Sequence, residues 1–104
     1  MAIQEIDVAE LAGYLSKGAE LVDVRESPEL TDEGSIPGHK HMPLSDFNRY
    51  QQAISLQNPT VFYCRSGRRS LKAAELASQW TGQSLYSLKG GIQAYHAANE
   101  TLSQ

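Results

Sequence analysis

Cysteine is almost missing from this sequence: Cys64 is the one thiol among 104 residues. A lone cysteine closes no internal disulfide, so the fold is expected to hold without an oxidising compartment. Long apolar runs are missing too. No stretch approaches the roughly 20 residues of a membrane span, so no membrane partner is expected. The opening residues 1–7 lack a basic start and an apolar block and do not read as a signal peptide. The expected compartment is the cytoplasm. Positive charge is in deficit, with 9 Lys and Arg against 12 Asp and Glu and a net charge of −3. That balance argues against nucleic acid as a partner.

What remains is an ordinary globular composition, 40% hydrophobic and 20% charged. The length fits a single domain over residues 1–104. Short apolar runs alternate with helical periods, as in a parallel α/β sheet. Ile3 to Ile6 reads as a strand. Asp7 and Glu10 form a capping box for a helix carrying Val8, Leu11, Ala12 and Leu15 and stopping at Gly18. Glu20 to Arg25 reads as the second strand. Residues 26–38 hold Pro28, Gly34, Pro37 and Gly38 and are expected to be an irregular connection. His41 to Leu44 is a weak strand, and Ser45 is expected to cap a helix running to about Leu56. Pro59 to Tyr63 is the strongest strand. Ser66 to Ser70 reads as a loop, Leu71 to Trp80 as a helix and Ser84 to Leu88 as the last strand. Gly90 and Gly91 then break into a C-terminal helix.

The chemistry concentrates where that strongest strand ends. Ligands of open α/β sheets bind beyond the carboxyl ends of the strands, and Cys64 stands at such an end. The loop Cys64-Arg65-Ser66-Gly67-Arg68-Arg69-Ser70 offers backbone N–H groups, a glycine for a tight turn and three arginines. A helix N-terminus behind it adds a positive end. Each feature favours thiolate over thiol. A buried cysteine is otherwise most simply a small hydrophobe, and this setting reverses that reading. Arg65, Arg68 and Arg69 make a basic island on an acidic chain, which suits a small anion.

This loop resembles the active-site loop of the rhodanese family, Cys-Arg-Ser-Gly-x-Arg-Ser. Three more stretches are similar, in the same order. Residues 21–26 (Leu-Val-Asp-Val-Arg-Glu) resemble the family's Leu-Ile-Asp-Val-Arg-Glu strand. Gly34-Ser35-Ile36-Pro37-Gly38 with His41-Met42-Pro43-Leu44 resembles its Gly-His-Ile-Pro-Gly turn and the segment after it. Residues 88–95 resemble its Leu-x-Gly-Gly-x-x-Ala-Trp closing helix. Ser35 and Tyr95 depart from the family's histidine and tryptophan at positions that look structural. The resemblance implies a three-layer α/β sandwich, with a five-stranded parallel sheet flanked by helices and the Cys64 strand central. It implies a sulfurtransferase. Cys64 would take a sulfane sulfur from a small anionic donor such as thiosulfate and pass it, as a persulfide, to a thiol or cyanide acceptor. Arg65, Ser66, Gly67, Arg68, Arg69 and Ser70 would hold the substrate, with no cofactor. A sulfur-accepting protein is an open alternative as acceptor.

Other candidates weigh less. Asp23 and Arg25 would sit beside the loop, where Asp23 could pair with a loop arginine; a structural ion pair is favoured over contact with substrate. Glu26 with Glu29 and Asp32 with Glu33 suggest a solvated loop. His39, His41 and His96 show no metal spacing, so no metal is expected. His39 and His41 read as solvent or packing residues near the pocket rim. Rhodanese-like folds also host phosphatases, whose loop places arginine six residues after cysteine. Here Ser70 holds that place and Arg69 comes one residue early. A non-catalytic regulatory module is the other alternative, and such modules usually lack the cysteine.

Overall fold

A computed structural model describes residues 3–54 and 57–102. Five strands form one sheet: β1 (Ile3–Ile6), β2 (Glu20–Asp23), β3 (Lys40–His41), β4 (Thr60–Tyr63) and β5 (Leu85–Leu88). Their order is β1-β5-β4-β2-β3, and every neighbouring pair is parallel. β4 is central, so its four residues are all buried, as a strand covered on both faces must be.

The pleat sends alternate residues into two apolar layers. Val22, Phe62 and Cys64 pack on one side with Phe47, Ala73, Ala74 and Ala77, so α3 (Phe47–Tyr50) and α4 (Arg68–Ala77) cover that face. Leu21, Val61, Tyr63 and Leu88 pack on the other with Leu11 and Ile92, from α1 (Val8–Ser16) and α5 (Gly91–Leu102). α4 approaches closely because its inner face is three alanines, each with no exposure. The fully buried Phe62 anchors this layer, and truncating such a ring to alanine costs about 3–5 kcal/mol.

Three elements differ from the sequence reading. The connection after β2 contains a helix, α2 (Ser27–Glu33). Pro28 sits in its first turn, where a missing N–H costs nothing, and Glu26 with Glu29 closes a capping box. Gly34, at φ +71°, ends it. The helix expected from Ser45 is instead a broken series: a 3-10 turn at Leu44–Asp46, α3, and a second 3-10 turn at Gln51–Ala53. The Ser45 hydroxyl donates to Glu26 Oε1 at 2.7 Å rather than capping a helix. Leu56, its expected end, lies outside the described residues. Finally, α4 begins at Arg68, three residues earlier than the periodicity suggests, because Gly67 at φ +113° turns the chain directly into it. Arg68, Arg69 and Ser70 therefore occupy the first turn of α4, not a loop. The third strand also shifts: β3 is Lys40–His41, starting one residue before the expected His41 and stopping short of Pro43.

Candidate active site

Cys64 follows β4 directly and is 1% exposed. Its Sγ accepts the Gly67 N–H at 3.0 Å and lies 3.6 Å from Ser70 Oγ. Burial pushes the thiol pKa up. Hydrogen bonds from the Ser70 side chain and from the backbone of Ser70, Gly67 and Ser66 outweigh it, so the net shift is down. The leading causes of the lowering are these uncharged groups, and the Arg69 charge interacts with the sulfur as well.

Behind Ser70 lies a residue the sequence reading did not single out. Ser87, on β5, is fully buried and its Oγ is 2.6 Å from Ser70 Oγ. A serine at a buried position of a central strand, one residue before the segment leading to Gly90 and Gly91, is a signal that could have found it. Gly91 is a second omission from the candidate site, expected only as part of the glycine break that opens the closing helix. The N–H groups of Ile92 and Gln93 donate to the carbonyls of Cys64 and Arg65 at 2.8 and 3.3 Å. A Cβ on Gly91 would overlap the Cys64 carbonyl oxygen and come within 2.6 Å of the Arg65 oxygen. Only glycine permits α5 to dock there.

The arginines are placed differently from a free basic island. Arg69 makes two 2.7 Å bonds to the carboxylate of Glu29. That fork pulls the Glu29 pKa down to about 2. Arg65 Nε is 3.4 Å from Glu33. Arg68 is exposed and makes no ion pair among the described residues. The acidic residues of α2 are thus counter-ions to the loop rather than a solvated loop of their own, which corrects the reading of Glu29 and Glu33. The signal was their i, i+4 spacing, hidden until α2 is recognised as a helix.

Asp23 and Arg25 pair with each other, not with the loop. Arg25 Nη2 is 2.7 Å from Asp23 Oδ2, and both side chains are fully buried. The same Nη2 donates to the Gly34 carbonyl at 2.6 Å, and Nη1 lies 3.7 Å from Glu33. The guanidinium also stands over the Tyr63 ring, 5.6 Å from its centre. Burial pushes the Asp23 pKa up, but the Arg25 bonds prevail and it is held low. This buried pair ties β2 to α2 and so fixes where Glu29 and Glu33 stand. The histidine rings each bond a backbone carbonyl: His39 that of Ile36 at 3.0 Å, His41 that of Arg25 and His96 that of Glu33, both at 2.6 Å. They are packing residues. Among the described residues no cluster of three or more His, Cys, Asp or Glu could hold a metal ion. No described helix is long and apolar enough to cross a membrane.

A family model for the rhodanese-like domain matches residues 7–98. The chain belongs to that family. The Bacillus subtilis protein named "Putative sulfurtransferase YtwF" is 32% identical over 97 residues, covering 91% of this chain and 92% of its own. The uncharacterized Bacillus subtilis protein YqhL is 34% identical over 84 residues; these cover 81% of this chain, but only 64% of YqhL's length. Among solved structures, a rhodanese-related protein from Thermoplasma volcanium superposes with a TM-score of 0.80 at 28% identity, covering 91% of this chain and 92% of that one. The rhodanese-like domain is a sulfurtransferase family in general terms. The five-stranded parallel sheet with five helices is the family fold.

Proposed function

We propose that this protein moves a sulfane sulfur from thiosulfate or another persulfide donor to a thiol or cyanide, through a persulfide on Cys64. The observation that carries the reading is the Cys64 sulfur with the Gly67 N–H at 3.0 Å and the Ser70 hydroxyl at 3.6 Å, in a setting that lowers its pKa. The Cys64 thiolate attacks the outer sulfur of the donor and forms a new S–S bond. The donor's own S–S bond breaks, and with thiosulfate its electron pair leaves on sulfite. The acceptor then attacks the outer sulfur of the persulfide, and the electron pair of that bond returns to Cys64 as thiolate. The N–H and hydroxyl donors near Sγ are suited to hold the anionic persulfide between these two steps. Arg68 and the outer face of the Arg65 guanidinium are the charges best placed to meet an incoming anion.

A phosphatase reading fits less well. It needs an arginine six residues beyond the cysteine, where Ser70 stands, and Arg69 is bound in a fork to Glu29. The test is intact mass. Thiosulfate should add about 32 Da to the wild-type protein, removable by cyanide or dithiothreitol, and nothing to Cys64→Ser. Thiocyanate formation by Cys64→Ser, or strong hydrolysis of an aryl phosphate by the wild type, would overturn the proposal.

A further inference from the structure

We infer that Ser87 is a positioning residue for Cys64, acting through Ser70 by settling where the Ser70 hydroxyl proton points. The inference rests on Cys64 working as a thiolate, as in the function proposed above.

The geometry is a small network in which protons are scarcer than acceptors. Ser70 Oγ lies 3.0 Å from the Gly67 carbonyl oxygen, 3.6 Å from Cys64 Sγ and 2.6 Å from Ser87 Oγ. Ser87 Oγ reaches the same Gly67 oxygen at 3.4 Å. The Leu71 N–H also approaches that oxygen at 3.4 Å, which leaves one lone pair for a hydroxyl. Both serines are fully buried, away from bulk solvent.

In the thiol state the S–H can donate to Ser70 while Ser70 donates to Gly67. On ionisation the sulfur becomes an acceptor, and Ser70 has one proton for two acceptors. The carbonyl is the nearer. Ser87 resolves the competition: its proton is shared between Ser70 Oγ and the Gly67 oxygen, as three-centre donors commonly are. The contact at 2.6 Å demands a proton between the two oxygens. With Ser70 donating to sulfur, that proton can only be Ser87's. A hydroxyl that accepts a hydrogen bond is also a better donor, so the chain Ser87 to Ser70 to Cys64 strengthens along its length. Without Ser87 the Ser70 proton returns to Gly67 and the thiolate loses a donor.

The surrounding charges are Arg65, Arg68 and Arg69 on the loop and α4, Glu29 and Glu33 on α2, and the Asp23–Arg25 pair of β2. None of them hydrogen-bonds either serine, so a substitution at Ser87 leaves them in place.

The experiment is the pH profile of Cys64 alkylation by iodoacetamide, which needs no sulfur transfer and reports on the sole thiol. Ser87→Ala should raise the apparent thiol pKa and slow alkylation at neutral pH roughly threefold, a fraction of the effect of losing a direct charge-assisted bond. In a Ser70→Ala background, Ser87→Ala should add nothing, because its route to the sulfur is gone. An unchanged profile in a folded Ser87→Ala protein, or full additivity in the double variant, overturns the inference. As a second measurement on the wild type, the Ser87 hydroxyl proton signal should move with the Cys64 titration; a signal that stays flat also overturns it. Failure of the persulfide experiment with this coupling intact would sink the proposed transfer and leave the role of Ser87 standing.

Discussion

Two rings surround Cys64, and they are built on opposite principles. The inner one is uncharged: the Gly67 N–H, the Ser70 and Ser87 hydroxyls and the backbone that α5 holds in place. The outer one is fully charged but largely self-neutralised, with Arg69 on Glu29, Arg65 on Glu33 and Arg25 on Asp23. The difference separates two tasks. Short dipolar contacts act on the sulfur within a buried, low-dielectric pocket, where they are strong and salt cannot reach them. The ion pairs, buried for Arg25 with Asp23 and partly exposed for the other two, mostly fix positions, because an arginine already matched by a carboxylate projects little field outward.

Breaking the inner ring at its support should have the largest effect. Gly91→Ala drives a Cβ into the carbonyls of Cys64 and Arg65 and forces α5 off the loop. A marked fall in the denaturation midpoint is expected, together with loss of the normal Cys64 alkylation profile. An Ala variant with wild-type stability would show that the docking is slack.

Removing one donor is next in size. Ser70→Ala should slow Cys64 alkylation at neutral pH by roughly tenfold, the scale of a hydrogen bond to a charged group. The fold should persist, and the profile should be insensitive to added salt. A strong salt dependence would mean that charge, rather than the hydroxyl, governs the thiol.

The outer ring responds to acid. The Glu29 pKa lies at about 2 in the folded protein, below its ordinary 4.5. A depressed carboxylate contributes stability above its unfolded pKa and loses it as pH falls through the folded one. This contribution is therefore intact above pH 4.5 and drains away between 4.5 and about 2. Denaturation across that window should be less pH-dependent in Glu29→Gln than in the wild type. Equal slopes would disconnect Glu29 from acid stability.

Salt should produce the smallest effect. With two of the three loop arginines matched, the wild-type kcat/KM for thiosulfate should fall only slightly between low and moderate salt. Glu29→Gln releases Arg69 and should steepen that fall while raising thiosulfate turnover a few-fold at low salt. A steep slope in the wild type would show that the pairs open when the donor arrives.

These contrasts also mark what the sequence reveals. Asp7 with Glu10, the apolar run of β4 and the turn from Cys64 to Gly67 were legible because each is decided within a few residues, although the start of α4 at Arg68 was not. α2 was not, since Pro28 and Gly34 look like interruptions until one sees that they bracket a helix as its start and stop. The partnerships of the site were hidden for another reason. Glu29 meets Arg69 across 40 residues and Ser87 meets Ser70 across 17, so neither has a local pattern. Asp23 could be placed at the site's edge, but its partner was Arg25, two positions away, because the strand end turns that side chain back over β2 and β4.

The seating of α5 on the Cys64 and Arg65 carbonyls bears on how the protein is made. A ribosome delivers Cys64 before residues 91–93, and the central strand after its neighbour β2 but before its other neighbour β5. During that interval the thiol exists without the geometry that tunes it. The shape of the Cys64 loop therefore waits for α5: a chain cut off after β5 carries Cys64 but not the backbone contacts that α5 makes beneath it.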